Sequence, residues 1–163
     1  MLSIESWKKF FELPKNKGVI LVNPVNCCGV MGAGLALEVG NRWPKSLAEY
    51  KKVCADMKLN SGGVLRTEEV EDGEAGVILY HAATKRHWRD KSLIEDIELC
   101  VRRIGELALL EAGGFELRVP ALGCGLGGLR WEDVSVIIFT EFSKKIYDDM
   151  KIIIYEPYQR RNS

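Results

Sequence analysis

The chain has 163 residues and a mass of 18.3 kDa, a length that favours one domain. Its 23 basic and 23 acidic residues cancel. That argues against a dedicated duplex binder, which needs a basic face to offset phosphate charge. Apolar residues make up 47%, which argues against disorder, and no apolar run approaches the ~20 residues that span a bilayer.

The opening MLSIESWKKFFELPK lacks the basic-then-apolar order of a signal peptide. Residues 3–13 predict a short amphipathic helix stopped by Pro14. Residues 18–22 (GVILV) are a continuous apolar run, as expected of a central strand covered on both faces. A glycine-rich turn follows, and helical spacing begins near Ala33. Pro44 interrupts it and is placed in the first turn of the next helix, whose apolar stripe is Leu47, Tyr50, Cys54 and Met57. After a turn at 60–63, residues 64–70 and 76–81 read as two strands joined by an acidic loop at 71–74. Ser92-Leu93-Ile94-Glu95 has the capping-box pattern and opens a helix to about Ala112. Its inner stripe is Ile94, Ile97, Val101, Ile104 and Ala108, and Gly113-Gly114 ends it. Residues 115–119 predict a strand, 131–148 a helix and 151–155 (KIIIY) a last buried strand. The tail from Pro157 is polar. Strands alternating with helices predict a three-layer α/β domain.

The five cysteines, Cys27, Cys28, Cys54, Cys100 and Cys124, are odd in number and lack C-x-x-C spacing. The expectation is a reduced, cytoplasmic chain with free thiols. Two histidines and no clustered thiols predict no metal site.

Two glycine-rich loops each follow an apolar strand and precede a helix. The first is Asn26-Cys27-Cys28-Gly29-Val30-Met31-Gly32-Ala33-Gly34, and the second is Gly123-Cys124-Gly125-Leu126-Gly127-Gly128. Glycine lets backbone approach a ligand closely and present N–H groups to phosphate oxygens. A following helix N-terminus favours the anion. Neither loop is G-x-G-x-x-G or a Walker A loop. Each alone reads equally as a tight turn; two in one small domain point towards a diphosphate cradle. The third segment, Thr84-Lys85-Arg86-His87-Trp88-Arg89, follows the strand ending at His81. Lys85 there is either a nucleophile whose proton is easily lost or part of a solvated, phosphate-clamping loop. His87 is assigned a local hydrogen-bonding role and Trp88 a packing role.

Three motifs carry a resemblance. Residues 22–36 (VNPVNCCGVMGAGLA) are similar to the first ligand loop of macrodomains, and more closely to the glycohydrolase macrodomain of DarG-type antitoxins. Residues 84–89 (TKRHWR) and 120–131 (PALGCGLGGLRW) match the same group in the same order, as does SLIEDIE at 92–98. The resemblance covers about residues 18–155. It implies a single three-layer α/β/α macrodomain with a mixed central sheet over 1–163, with a divergent segment at 1–17 and a polar tail at 157–163. It also implies an ADP-ribose pocket that needs no cofactor. Asn26 would hold the distal ribose, with Gly29, Val30, Met31, Gly32 and Gly34 lining that ribose and the adjacent phosphate. Leu122, Gly123, Cys124, Gly125, Leu126 and Gly127 would wrap the diphosphate. The threonine–lysine pair of the DarG group falls on Thr84 and Lys85, which makes Lys85 the catalytic residue. The human terminal ADP-ribose glycohydrolase type adds an aspartate in the second loop, at the position of Gly127. The Gly-Asp pair by which macrodomains read adenine is missing here; nearby carboxylates are Glu5 and Glu12.

The first functional expectation is a monomeric hydrolase that removes ADP-ribose from a DNA nucleobase, thymidine foremost, within single-stranded DNA. The second is an ADP-ribose 1″-phosphate phosphatase, and the third a non-catalytic ADP-ribose reader, which would need the loops but not Lys85.

Overall fold

The computed structural model describes residues 1–70, 76–111 and 114–157. The expected acidic loop at 71–74, the residues Ala112 and Gly113, and the tail beyond Pro157 lie outside the described residues. Six strands form one sheet: β1 (Leu2–Glu5), β2 (Val19–Val25), β3 (Val64–Glu69), β4 (Val77–Ala83), β5 (Glu116–Val119) and β6 (Ile152–Tyr155). Their order is β1-β6-β5-β2-β4-β3, with only β3 antiparallel to its neighbour. The helices are α1 (Gly34–Arg42), α2 (Pro44–Ala55), α3 (Ile94–Leu110) and α4 (Trp131–Phe142).

Alternation along each strand divides the core into two layers. Ile20, Val22, Ile78, Tyr80, Leu117 and Ile152 pack on α3 and α4. Val19, Leu21, Leu79 and Ile153 face the other way, against Phe10, Val39, Trp43 and Tyr50. With helices on both faces, β2 and β4 are buried almost throughout, as the apolar run at 18–22 predicts. The mixed sheet between helix layers is the architecture expected. Among the described residues, no helix is long and apolar enough to cross a membrane.

Four local expectations are corrected. Residues 3–13 do not form an α-helix. Residues 2–5 are strand β1, parallel to β6, and only Trp7–Lys9 turn helically, as a 3-10 segment. The backbone groups of β6 need a partner on their outer side: the Ile152 N–H donates to Met1 O and the Glu156 N–H to Glu5 O. This pairing overrides helical periodicity, because a buried strand cannot leave its ladder unmade.

The stripe of α2 ends at Cys54, since the helix stops at Ala55. Met57 then takes a left-handed conformation at φ 52 and is 85% exposed, in a place glycine usually fills. The capping box at Ser92 does not form. The N-cap is Leu93, without a side-chain bond, because the Ser92 N–H is used in a loop contact with Gly127 O at 2.9 Å. Finally, the helix expected over 131–148 stops at Phe142 and resumes as a 3-10 turn, Lys145–Tyr147. That break folds Tyr147 back against Gly105 of α3, and its hydroxyl donates to Glu141 of α4.

Gly105 is the notch that receives this ring: a Cβ there would lie 2.1 Å from the Tyr147 hydroxyl and 2.9 Å from its ring carbon Cζ. Gly105→Ala is expected to lower stability by roughly 1–3 kcal/mol, the usual cost of overpacking. A urea titration followed by circular dichroism would show it as a lower midpoint with unchanged slope.

Candidate functional site

The register of β5, β2 and β4 determines where the three sequence motifs meet. These strands are adjacent and parallel, so the loops that leave their carboxyl ends emerge at one edge, where ligands of α/β sheets bind. The segment after β4 is bonded to both glycine loops. The Cys27 N–H donates to Arg86 O at 2.9 Å, and the Ser92 N–H donates to Gly127 O at 2.9 Å. The predicted loops and the lysine segment are thus brought together.

The first loop is braced from inside. Asn26 is 6% exposed, and its Oδ1 accepts from the Cys28 N–H at 2.9 Å and from the Tyr50 hydroxyl at 2.9 Å. Its Nδ2 donates to Val30 O at 2.8 Å, and the Tyr50 hydroxyl also reaches Asn26 O at 2.7 Å. Val30, Gly32 and Gly34 are exposed along this loop. Met31 is buried, with its sulfur packed at Gly40, so only its backbone faces the loop surface.

In the second loop Gly125 and Leu126 are exposed, Cys124 is half-buried, and Leu122, Gly123 and Gly127 are buried. Gly123 has φ +73, and a Cβ there would press on Leu129 and Ile97. Gly127 is enclosed: a Cβ would lie 2.4 Å from Ser92 Oγ and 2.6 Å from Gly123 O. The backbone in this conformation has no room for an aspartate at 127.

Thr84 is buried, its hydroxyl directed at Val25 O at 3.5 Å. Lys85 is half-buried and its Nζ donates to Trp88 O at 3.0 Å. Burial, and next the charge of Lys91, push its ammonium below the usual lysine range, against the opposing pull of Asp90. A cavity of about 540 Å³ opens beside it, lined by Lys85, Cys27, Asn60, Ser61 and Asp96 among others. Trp88, expected to pack, is instead 46% exposed, between His87 and an Arg89 guanidinium 4.5 Å above its ring. Glu5 closes β1 and pairs with Lys9 at 3.2 Å. Burial raises the Cys27 and Cys124 thiols to about 11, so neither is a ready thiolate. All five cysteines are free.

Beneath the first loop lies a polar chain that sequence reasoning missed. His81 is fully buried opposite Asn23 in the β2–β4 register, and Tyr50 stacks on its ring. Thr67 donates to Ser46 and Ser46 to Glu69, at 2.8 and 2.9 Å. The Thr67 oxygen therefore accepts from His81 Nε2 at 2.8 Å, and His81 Nδ1 accepts from Asn23 Nδ2 at 3.0 Å. The only sequence signal was that His81 and Asn23 interrupt apolar strands.

A single mixed sheet between helix layers, with two glycine-rich loops and a lysine segment clustered at the strand ends, is an α/β domain whose candidate site lies at the carboxyl edge of its sheet. Residues 22–138 match the Macro domain family, and the chain belongs to it. It is 35% identical over 142 residues to the DNA ADP-ribosyl glycohydrolase of Mycobacterium tuberculosis, covering 84% of this chain and 38% of that protein. The chain thus spans well under half the length of the first curated relatives it matches. Among solved structures it is similar to the macrodomain of Mycobacterium tuberculosis DarG, with TM-score 0.83, 29% identity and coverage of 97% of this chain and 99% of that one. It is also similar to Thermosipho africanus DarTG in complex with ADP-ribose, with TM-score 0.74, 32% identity and coverage of 88% and 39%.

Burial lowers the His81 imidazolium to about 4. The unfolded chain takes up this proton near pH 6.5, the folded chain only near pH 4, so stability is retained above pH 6.5 and falls as pH drops across that interval. Between pH 7 and 4.5 the expected loss is roughly 2–3 kcal/mol, at ~1.4 kcal/mol per pH unit. Chemical denaturation at both pH values tests this, with an NMR titration in which the His81 ring stays neutral down to pH 5.

Proposed function

We propose that this macrodomain is a hydrolase that releases ADP-ribose from a modified nucleobase, thymidine in single-stranded DNA foremost. It would act as a monomeric single domain in a reducing, cytoplasmic setting. The observation that carries the reading is the position of Lys85. Its amine lines a cavity directly beside the junction where the lysine segment is bonded to both glycine loops. The relatives named as glycohydrolases support the same activity.

In this reading the glycine loops hold ADP-ribose. Val30, Gly32 and Gly34, with the backbone of Gly29 and Met31, line the distal ribose and adjacent phosphate. Asn26 keeps that loop in shape while offering its edge to the ribose. Gly125, Leu126 and Cys124 offer backbone donors to the diphosphate, over a base formed by Leu122, Gly123 and Gly127. Thr84 anchors the start of the lysine segment.

Lys85 reacts as a neutral amine. While one N–H remains donated to Trp88 O, the lone pair is free to attack the anomeric carbon of the distal ribose. The C–N bond to lysine forms as the glycosidic bond breaks. The electron pair leaves with the base, which takes up the proton that the alkylated amine loses. Water then adds at the anomeric carbon, releases ADP-ribose and restores the lysine. The lowered proton affinity of Lys85 raises the fraction available in this form. With no aspartate at 127, the leaving base receives its proton from the lysine or from water.

Two outcomes are expected. Gly125→Val places side-chain atoms in open space, since a Cβ at 125 meets nothing within 4 Å, so the fold is kept. ADP-ribose affinity falls at least tenfold, about 1.4 kcal/mol, by calorimetry. Lys85→Ala removes most turnover of an ADP-ribosylated thymidine oligonucleotide while leaving ADP-ribose affinity within about tenfold. Lys85→Arg keeps the charge without a neutral amine and stays as inactive as the alanine variant; wild-type rates from it would exclude the nucleophilic role.

A further inference from the structure

The surface beyond Lys85 is not used by ADP-ribose in the reading above, yet it is shaped and charged. The cavity beside Lys85 is lined on its cationic side by Lys85, Arg86 and Lys91, with Asp90 and Asp96 opposing. A second hollow of about 440 Å³ carries Lys58, Arg102 and Arg103, with Glu106 the carboxylate. Leu59 and Asn60 line both, so the two hollows are neighbours across the α2–β3 turn, one beside Lys85 and the other on the flank of α3; together they are termed the trough. The trough holds six cations against three carboxylates, in a chain whose charges cancel overall, and one of the six, Arg103, is paired with Glu106 at 3.2 Å. Residues of the second glycine loop line neither hollow.

We infer that this trough is a track for the sugar–phosphate backbone of a single-stranded polynucleotide, the strand that flanks the modified base. The inference rests on the glycohydrolase reading. If ADP-ribose lies on the glycine loops and its anomeric carbon meets Lys85, the departing base sits in the first hollow. A base held there is unpaired, so the strand is single or locally opened. Its neighbouring phosphates then run along the cations of the second hollow. Phosphates pair with Lys58, Arg102 and Arg103 without base-specific contact, which positions the strand and makes binding depend on salt. Asn60 and Ser61, beside the base, supply polar groups; Ser61 already donates to Asp96 at 2.6 Å. An overall neutral charge is compatible with this, because the asymmetry is local.

The test is the double variant Lys58→Glu/Arg102→Glu, at two exposed residues remote from Lys85. It is compared with Lys58→Gln/Arg102→Gln, which removes charge without reversing it. Substrates are a single-stranded oligonucleotide with one ADP-ribosylated thymidine and the corresponding ADP-ribosylated mononucleoside. The expected result is at least a tenfold fall in kcat/KM for the oligonucleotide, with the mononucleoside and free ADP-ribose affinity unchanged within twofold. The slope of log KM against log salt for the oligonucleotide falls by roughly 1.4, at ~0.7 for each of two phosphates no longer neutralised. The glutamine variant shows the same pattern at smaller size. Equal effects on both substrates, or no effect on either, overturn the track.

If the wild-type protein cleaves neither substrate, the glycohydrolase reading has failed. The track is then judged by anisotropy of a labelled, unmodified oligonucleotide: binding that the double variant abolishes supports it, and no binding overturns it. Binding of an acidic peptide to the trough, without binding of the oligonucleotide, also overturns it and assigns the surface to a protein.

Discussion

Two backbone hydrogen bonds hold the functional edge together: Cys27 N–H to Arg86 O, and Ser92 N–H to Gly127 O. Glycine-rich loops have little side-chain packing of their own and lose more conformational freedom than other segments on ordering. Tied to the lysine segment between them, both loops inherit the rigidity of β4 and α3. The arrangement requires β5, β2 and β4 to be adjacent and parallel, so that three carboxyl ends arrive at one edge. It also accounts for the late start of α3: the Ser92 backbone serves the loop contact, and its side chain lies against Gly127 instead of capping the helix.

A second constraint works from below. Tyr50 reaches from α2 to both oxygens of Asn26, and its ring lies on His81. His81 in turn is held between Asn23 and the Thr67–Ser46–Glu69 chain. Each proton in this chain has one acceptor, so the donors run in a single direction from Asn23 to the Glu69 carboxylate. A bonded polar chain of this kind specifies geometry more sharply than apolar packing does, although Asn23 Oδ1 is buried without a hydrogen-bond partner. Here it holds the His81 ring on which Tyr50 lies, and Tyr50 bonds the first glycine loop at Asn26. The first loop is therefore shaped by residues on α1, α2, β3 and β4, and the second by α3.

Lys85 lies where these constraints meet a different surface. On one side are the two glycine-rich loops, proposed to hold ADP-ribose; on the other is a trough with an excess of cations. In the proposed reading, a group at such a boundary would contact the bond between two halves of a substrate, where a nucleophile is useful. Gly127 is enclosed and has no room for a side chain, so the carboxylates that line the cavity beside Lys85 are Asp90 and Asp96.

Much of this was legible in the chain itself. Continuous apolar runs at 18–22 and 151–155 marked the buried strands, Pro44 marked the start of α2, and the stripe from Ile97 to Ala108 marked the inner face of α3, all through short-range periodicity. The glycine loops and the TKRHWR segment were legible as motifs, because close backbone approach and strand-end placement restrict residue type locally. What only the tertiary structure decided has a common physical cause: it depends on a partner distant in sequence. Residues 2–5 became a strand because β6 needed its outer edge paired. Residues 131–148 broke because Tyr147 fits the notch at Gly105. Ser92 left its cap for Gly127, and Tyr50, which spacing assigned only to the core, became the brace of Asn26. The trough beside Lys85 joins residues from the α2–β3 turn, the β4–α3 segment and α3, and no local pattern announces a surface that exists only once those elements are packed.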